Sequence, residues 1–346
     1  MSNTMSDDTI QNRNELIALF DAINANPNGV PMSGENRPRI DPHTRQCIVT
    51  DVCLKRYLRD QFVDDGDEVF VKNLEDAPTR AEHLERLVGD IDSEDDVGPG
   101  MFEDFLNSTV DVPLFGATLS FSFNDNDTRD AVQEVFPSKL QGPVQLQPAE
   151  TLHSVVMNEN SNSLTSVFGT DDNDTGGYGL ADNRIKYGLF QTWGLVNENA
   201  AEDTGLTDEE VERLDTLFWR SIKNQPTSRA KLGHEPRVYL RVEYEEETYQ
   251  IGLQNAFSLY EPASEDDKMI RSPQDTCLDL TWFLNQLDSR NECVKTVHIK
   301  VDNQMTVATQ NDGVLGGPEA MYNEIRDIVG DDSVHVIDVY NETPAN

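Results

Sequence analysis

Residues 15–62 read ELIALFDAINANPNGVPMSGENRPRIDPHTRQCIVTDVCLKRYLRDQF, and they fix the fold class and the first candidate site. The run Glu15 to Asn24 is apolar almost throughout and predicts a buried strand. Asn26 to Pro42 holds Pro27, Gly29, Pro31, Gly34, Pro38 and Pro42. That density sets turns and prevents regular structure. A helix then starts at Thr50 or Asp51. Leu54, Leu58 and Phe62 recur on one stripe, and Lys55, Arg56 and Arg59 lie opposite. A strand thus feeds a turn-rich loop and then a helix whose free face is basic.

That basic face is unusual in this chain. The 346 residues carry 64 Asp and Glu against 27 Lys and Arg, a net charge of -37. Acid spread along most of the chain, scarce Lys and retained Arg suit a protein kept soluble in the molar salt of a halophile cytoplasm. The strand and helix periods argue against disorder. Two islands escape the acidic excess. Residues 36–60 hold six basic and three acidic residues, and residues 219–241 hold Arg220, Lys223, Arg229, Lys231, Arg237 and Arg241 against Glu235 alone. Two readings stay open: internal pairing with the abundant carboxylates, or a track for a polyanion.

Elsewhere the pattern predicts a strand over 67–74 and a helix opened by the capping box Thr79-x-x-Glu82. Alternation of Phe115, Ala117, Leu119, Phe121 and Phe123 predicts a strand. A polar surface stretch over 125–140 and short strands at 141–147 and 151–157 follow. Residues 158–182, rich in Asn, Ser, Gly and Asp, form a long loop of a kind that is usually functional. A strand over 184–197, a helix opened by Thr207-x-x-Glu210 and a strand over 237–244 come next. The C-terminal part reads helix 277–288, strand 294–301, helix 319–329 and strand 334–340. The class is α+β.

Several chemistries lack their residues. There is no phosphate-binding GxxxxGK[ST], no dinucleotide fingerprint, no HExxH and no GxSxG. Cys47, Cys53, Cys277 and Cys293 make no CxxC pair, which suits reduced thiols. No apolar run approaches the roughly 20 residues of a membrane helix, and residues 1–14 contain no apolar core of a secretory signal. No metal or cofactor is expected. Asp41, the acid inside the first island, is expected to pair with Arg37 or Arg39; beside a phosphate it is also the one candidate metal ligand.

The stretch from Phe20 to Asp60 resembles the N-terminal signature of the CRISPR-associated Cascade backbone subunit of type I-B, in haloarchaeal form. Later segments agree: GPVQ at Gly142, YGLADNRIKYGLF at Tyr178, TGLT at Thr204, LFWRSIKNQPTSRAKLG at Leu217 and EPRVYLRVEY at Glu235. The resemblance implies an RRM- or ferredoxin-like palm over 10–75 and 184–342, with palm-edge strands at 141–157. It implies a helical fingers insertion at 76–140 and an extended thumb loop at 158–183. It further implies a cytoplasmic, non-catalytic subunit that binds crRNA, stacks with copies of itself in a helical filament and meets other Cascade subunits. Through the guide duplex it would support the target DNA strand for a recruited helicase-nuclease in antiviral defence. A second reading is a relative that cuts RNA with a loop aspartate and a metal, for which Asp41 would serve.

By this resemblance Asn26, Asn28, Gly29, Asn36, Arg37 and Arg39 face the RNA from the loop, and Lys55, Arg56 and Arg59 follow on the helix. Arg184 stands at the thumb's return. Phe168 and Tyr178 offer rings for stacking, and the second island adds Lys223, Arg229 and Lys231. The turn at Asn26–Gly29 presents backbone N–H groups suited to phosphate, and Arg37 and Arg39 supply planar forks. A guide of changing sequence requires backbone and stacking contacts rather than base-edge readout. Two departures from the family pattern are Val30, where an acid is usual, and Arg45, where glycine is common.

Overall fold

A computed structural model of the chain describes residues 9–30, 36–72, 79–158, 164–165, 179–180, 183–225 and 231–341. The first strand, Asn14–Ala25, pairs antiparallel with Ile185–Val196 on one side and with His234–Tyr244 on the other. These three centre a nine-stranded sheet. Beyond His234–Tyr244 come Val294–Val301 and then Val334–Val336, the latter pair parallel. Beyond Ile185–Val196 come Ala149–Thr151, Cys47–Val49 and the two-residue edge strand Arg39–Ile40. Val144–Leu146 also pairs with Ile185–Val196.

Successive side chains of a strand point to opposite faces. Leu16, Ala18, Phe20 and Ala22 pack on one face against Leu54, Leu58 and Phe62 of the helix Asp51–Asp65 and against Leu214, Phe218 and Ile222 of the helix Asp208–Lys223. Ile17 and Leu19 pack on the other, against Phe283 and Leu287 of Thr281–Ser289 and Met321 and Ile325 of Pro318–Val329. A strand covered on both faces needs apolar residues at consecutive positions, which is why ELIALF does not alternate.

Capping sets the helix boundaries. Thr50 accepts from the Cys53 N–H at the start of Asp51–Asp65, and Gly66 ends it in the left-handed region at φ 95°. The predicted capping boxes Thr79/Glu82 and Thr207/Glu210 are both formed, at the heads of Arg80–Val88 and Asp208–Lys223.

Residues between Phe70 and Leu140 build a separate aromatic core around Phe70, Phe105, Phe121 and Phe136, whose rings meet edge to face. Several expectations are corrected here. Residues 67–72 form no strand: the Phe70 and Val71 N–H groups turn onto the carboxylate of Asp111 instead. The 115–123 alternation is real as burial, but Phe115 ends a short helix, Asp111–Phe115, and only Gly116–Thr118 pairs as a strand. The polar stretch 125–140 contains a helix, Asn126–Val135, capped by Asp125 and buried through Thr128 and Val132.

Two C-terminal boundaries also move. The helix begins at Thr281, because Leu278–Asp279 is a strand of a small four-stranded sheet with Ser258–Leu259, Val307–Thr309 and Gly313–Gly316. The last strand is shorter than expected, Val334–Val336. In the long loop only the paired dipeptides Leu164–Thr165 and Gly179–Leu180 are described.

Candidate nucleic-acid interface

The loop after the first strand is built from its own asparagines. The Asn26 side-chain amide donates to the Asn36 carbonyl at 2.6 Å. Asn28 Oδ1 accepts from both the N–H and the hydroxyl of Thr50, at 3.0 and 3.1 Å. Thr50 is the cap of the basic helix, so this amide ties loop to helix. The Pro27 carbonyl accepts from the Tyr57 hydroxyl at 2.8 Å and from Lys231 Nζ. Gly29 forms a bridge with Pro38, and a Cβ there would lie 2.9 Å from the Asn36 carbonyl oxygen and closer still to its side chain, so a larger residue would shift the loop. Asn26, Asn28, Gly29 and Asn36 thus shape the loop. Thr50, expected only as a helix start, and Tyr57, which the sequence did not single out, complete it.

The loop presents the arginines. Arg37 is exposed, Arg39 is half-buried on the edge strand, and Arg45 is exposed at the tip of the hairpin joining that strand to Cys47–Val49. The Arg39 Nε is buried without a hydrogen-bond partner. Arg45 has φ 62°, in the left-handed region where glycine is favoured, a physical reason for glycine to be common at that position. Asp41 does not make the expected ion pair. Its Oδ1 accepts from the His43 and Thr44 N–H groups at 2.7 and 2.8 Å, and these bonds, Thr44 first, hold its carboxyl below the usual range. It caps the turn. No group of three or more His, Cys, Asp or Glu able to hold a metal occurs among the described residues.

The helix residues divide. Arg56 is exposed and paired with Asp60 one turn on. Lys55 is half-buried near Gln145 and 5.6 Å from the Phe115 ring, and burial lowers its pKa. Arg59 leaves the surface: its guanidinium lies 2.7 Å from the fully buried Asp111 and 5.2 Å from the Phe115 ring. It pins the helix Asp51–Asp65 to the short helix Asp111–Phe115. The one sequence signal for this was an acid set among Val110, Val112, Pro113, Leu114 and Phe115.

Arg184 is buried and donates to the Asn24 carbonyl at 3.0 Å. Asn158 donates from its backbone to the Arg184 carbonyl and from its side chain to Asn24 Oδ1, both at 2.8 Å. Asn158 and Arg184 therefore meet at Asn24, two residues before the Asn26 turn. Phe168, Tyr178 and Arg229 lie outside the described residues.

The second island is mostly neutralised. Arg220 binds Asp65 through both carboxylate oxygens at 2.7 and 2.8 Å. Arg237 bridges Asp21 at 2.8 Å and Asp302 at 2.6 Å, and burial pushes the Asp21 carboxyl up to about 6 against the pull of Arg237. Arg241 grips Asp215 at 2.7 and 2.6 Å and Asn14 at 2.9 Å, clamping the long helix to the sheet. Lys223 is exposed beside Glu235 at 3.8 Å and over the Tyr340 ring. Lys231 is turned inward onto Pro27 and Tyr57. Among the described residues of this segment, Arg220, Arg237, Arg241 and Lys223 have carboxylate partners.

A cavity of about 750 Å³ at the head of the helix Asp208–Lys223 is lined by Glu103, Glu134, Glu202, Asp203 and Glu210 and by no Lys, Arg or His, so it repels a polyanion. No helix is long and apolar enough to cross a membrane among the described residues.

Chains of a CRISPR RNA-guided surveillance complex, pre-nicking, and of a second CRISPR RNA-guided surveillance complex align over 84% of this chain and over 93% and 88% of theirs. Their TM-scores are 0.46 and 0.45, at 14% identity. The CRISPR-associated protein Cas7 of Haloferax volcanii is 44% identical over 343 residues, covering 96% of this chain and 98% of that protein. The family model for CRISPR-associated protein Cas7 matches residues 12–281. On the breadth of that match and the identity to the Haloferax protein, the chain belongs to the CRISPR-associated Cas7 family.

Proposed function

We propose that this protein is the crRNA-binding backbone subunit of a type I-B Cascade complex in antiviral defence, polymerising along the guide and cutting nothing itself. Its guide would be held at the loop 26–45. The observation that carries this reading is the placement of the exposed Arg37 and Arg45 and the half-buried Arg39 along one sheet edge in a chain of net charge -37. Asn158 and Arg184, which flank segment 159–183, meet at Asn24, and the nearby Val155 N–H donates to the Arg45 carbonyl at 2.9 Å. The partners follow: copies of the same chain, other Cascade subunits, the target DNA strand paired to the guide, and a recruited helicase-nuclease. The site of action would be the cytoplasm.

In this reading the central sheet with its helices is an RRM- or ferredoxin-like palm over 10–75 and 184–342, edged by 141–157. Residues 76–140 are the fingers and 158–183 the thumb. Contacts would go to phosphate and sugar, because arginine forks and turn amides carry no base code. At about 1 M salt the Debye length is roughly 3 Å, so the acidic remainder scarcely repels RNA, and each phosphate contact is also weakened. Stacking and shared occupancy of one RNA by many subunits supply the remainder.

The test is co-expression with a CRISPR array and purification in high salt. Wild-type protein should retain RNA, read as the ratio of absorbance at the nucleic-acid and protein maxima. Replacing Arg37 and Arg39 with Ala should reduce that ratio far more than replacing Arg80 and Arg86. RNA retained equally by both variants, or metal-dependent cleavage of complementary RNA lost in Asp41→Ala, would overturn the reading.

A further inference from the structure

We infer that Lys231, with Tyr57, is a positioning pair that sets the guide-facing turn rather than a residue that touches phosphate; this rests on the reading above of what the turn binds. Three elements remote in sequence meet at one carbonyl. Pro27 O accepts from the Tyr57 hydroxyl of the basic helix and from Lys231 Nζ, just before the strand His234–Tyr244. Lys231 also donates to the Tyr57 hydroxyl, and its ammonium lies 4.8 Å from the centre of that ring.

An ammonium has three donor protons. Two go to Pro27 O and the Tyr57 hydroxyl, and Cys53 Sγ stands 3.9 Å from the nitrogen. None of these is a carboxylate, in a chain with 64 of them. Tyr57 is 3% exposed and Lys231 is half-buried, and burial lowers the lysine pKa. A cation chosen for phosphate sits better with its head in solvent. This one is spent on a backbone oxygen and a ring.

The turn is held on both sides of that carbonyl. Asn26 reaches Asn36 O, and Asn28 Oδ1 receives Thr50. Removing Lys231 leaves Pro27 O with the Tyr57 hydroxyl and a weak Cys53 thiol donor at 3.9 Å, and frees the turn to move relative to Thr50, the cap of the basic helix. The effect on RNA should pass through the turn. The counterion count should then stay fixed, because no phosphate contact is lost.

Lys231→Met, which keeps the apolar stem, and Tyr57→Phe, which keeps the ring, are compared with wild type and with Arg37→Ala. Binding of a labelled, unstructured RNA oligonucleotide is measured across a KCl series. Amide hydrogen exchange of Val30, whose N–H donates to Arg37 O, is followed in the free proteins. Lys231→Met should bind about tenfold more weakly with an unchanged log–log salt slope, and Tyr57→Phe should change less in the same direction. Arg37→Ala should flatten the slope by roughly 0.7.

Exchange at Val30 should quicken in Lys231→Met and Tyr57→Phe, while amides inside His234–Tyr244 keep their protection. A slope that flattens by roughly 0.7 in Lys231→Met would make the lysine a phosphate contact and overturn the inference. Val30 exchange that does not change in either variant would overturn it as well. If wild type binds no RNA, the functional reading fails, and the exchange rates still decide whether Lys231 holds the turn.

Discussion

Residues 36–60 and 219–241 look alike as composition and differ as structure. Each is a cluster of six basic residues in a strongly acidic chain. The first lies on a turn-rich loop, a sheet edge and a helix, where Arg37, Arg45 and Arg56 reach solvent. The second straddles the end of a helix and a strand covered on both faces, and on that strand Arg237 and Arg241 go inward despite their charge. Arg237 and Arg241 are 3% and 2% exposed, and their carboxylates come from elements far away in sequence. Charge counted along a chain becomes charge on a surface only where the backbone is at an edge.

The contrast predicts stability effects of very different size for similar substitutions. Arg241→Ala strands Asp215 and Asn14 in the core. A broken buried pair of this kind costs about 3–5 kcal/mol, read as a lower urea midpoint in high KCl. Arg37→Ala, on the exposed edge, should stay within about 0.5 kcal/mol. Equal losses would erase the distinction between the two segments.

A smaller effect appears with pH at His234, again in the second segment. Its ring is 4% exposed, packs near Phe20 and Tyr57, and has no partner for either nitrogen. Burial, and then the charge of Lys231, pushes its pKa down to about 3 from 6.5. The unfolded chain therefore binds the proton first as pH falls, and stability is lost below about pH 6.5. One group contributes about 1.4 kcal/mol per pH unit, or about 2 kcal/mol at pH 5. The buried carboxyl of Asp21 is raised to about 6 and acts with the opposite sign between its unfolded value and that pH. His234→Phe should make the acid limb of stability against pH steeper in the gaining direction by removing the histidine cost. An unaltered acid limb would show that the ring is not held neutral.

The smallest effect concerns Arg45. At φ 62° a side chain costs about 1 kcal/mol that glycine does not. Arg45→Gly should raise thermal stability slightly and lower RNA affinity with a flatter salt slope. A variant that gains stability and keeps full affinity would remove Arg45 from the interface.

Much of this was legible in the sequence. Glu15 to Asn24, the apolar stripe of Leu54, Leu58 and Phe62 and both capping boxes are local patterns with local causes, and they stand where the residues put them. The Asn28–Thr50 tie and the Pro27–Tyr57–Lys231 contact were not legible, because each joins positions whose separation only the sheet closes. The fate of Arg59 depended on Asp111, one acid among many, distinguishable only by its apolar neighbours. The helix at Asn126–Val135 was missed because its buried face is little more than Thr128 and Val132, too thin a stripe for periodicity to show.

Ultraviolet cross-linking of the purified protein–RNA complex, followed by mass spectrometry of the linked peptides, tests the central claim most directly. The account predicts links concentrated in 24–45, with few or none in 234–244. Links absent from 24–45 and concentrated in 234–244 or in the acid-lined cavity would contradict it.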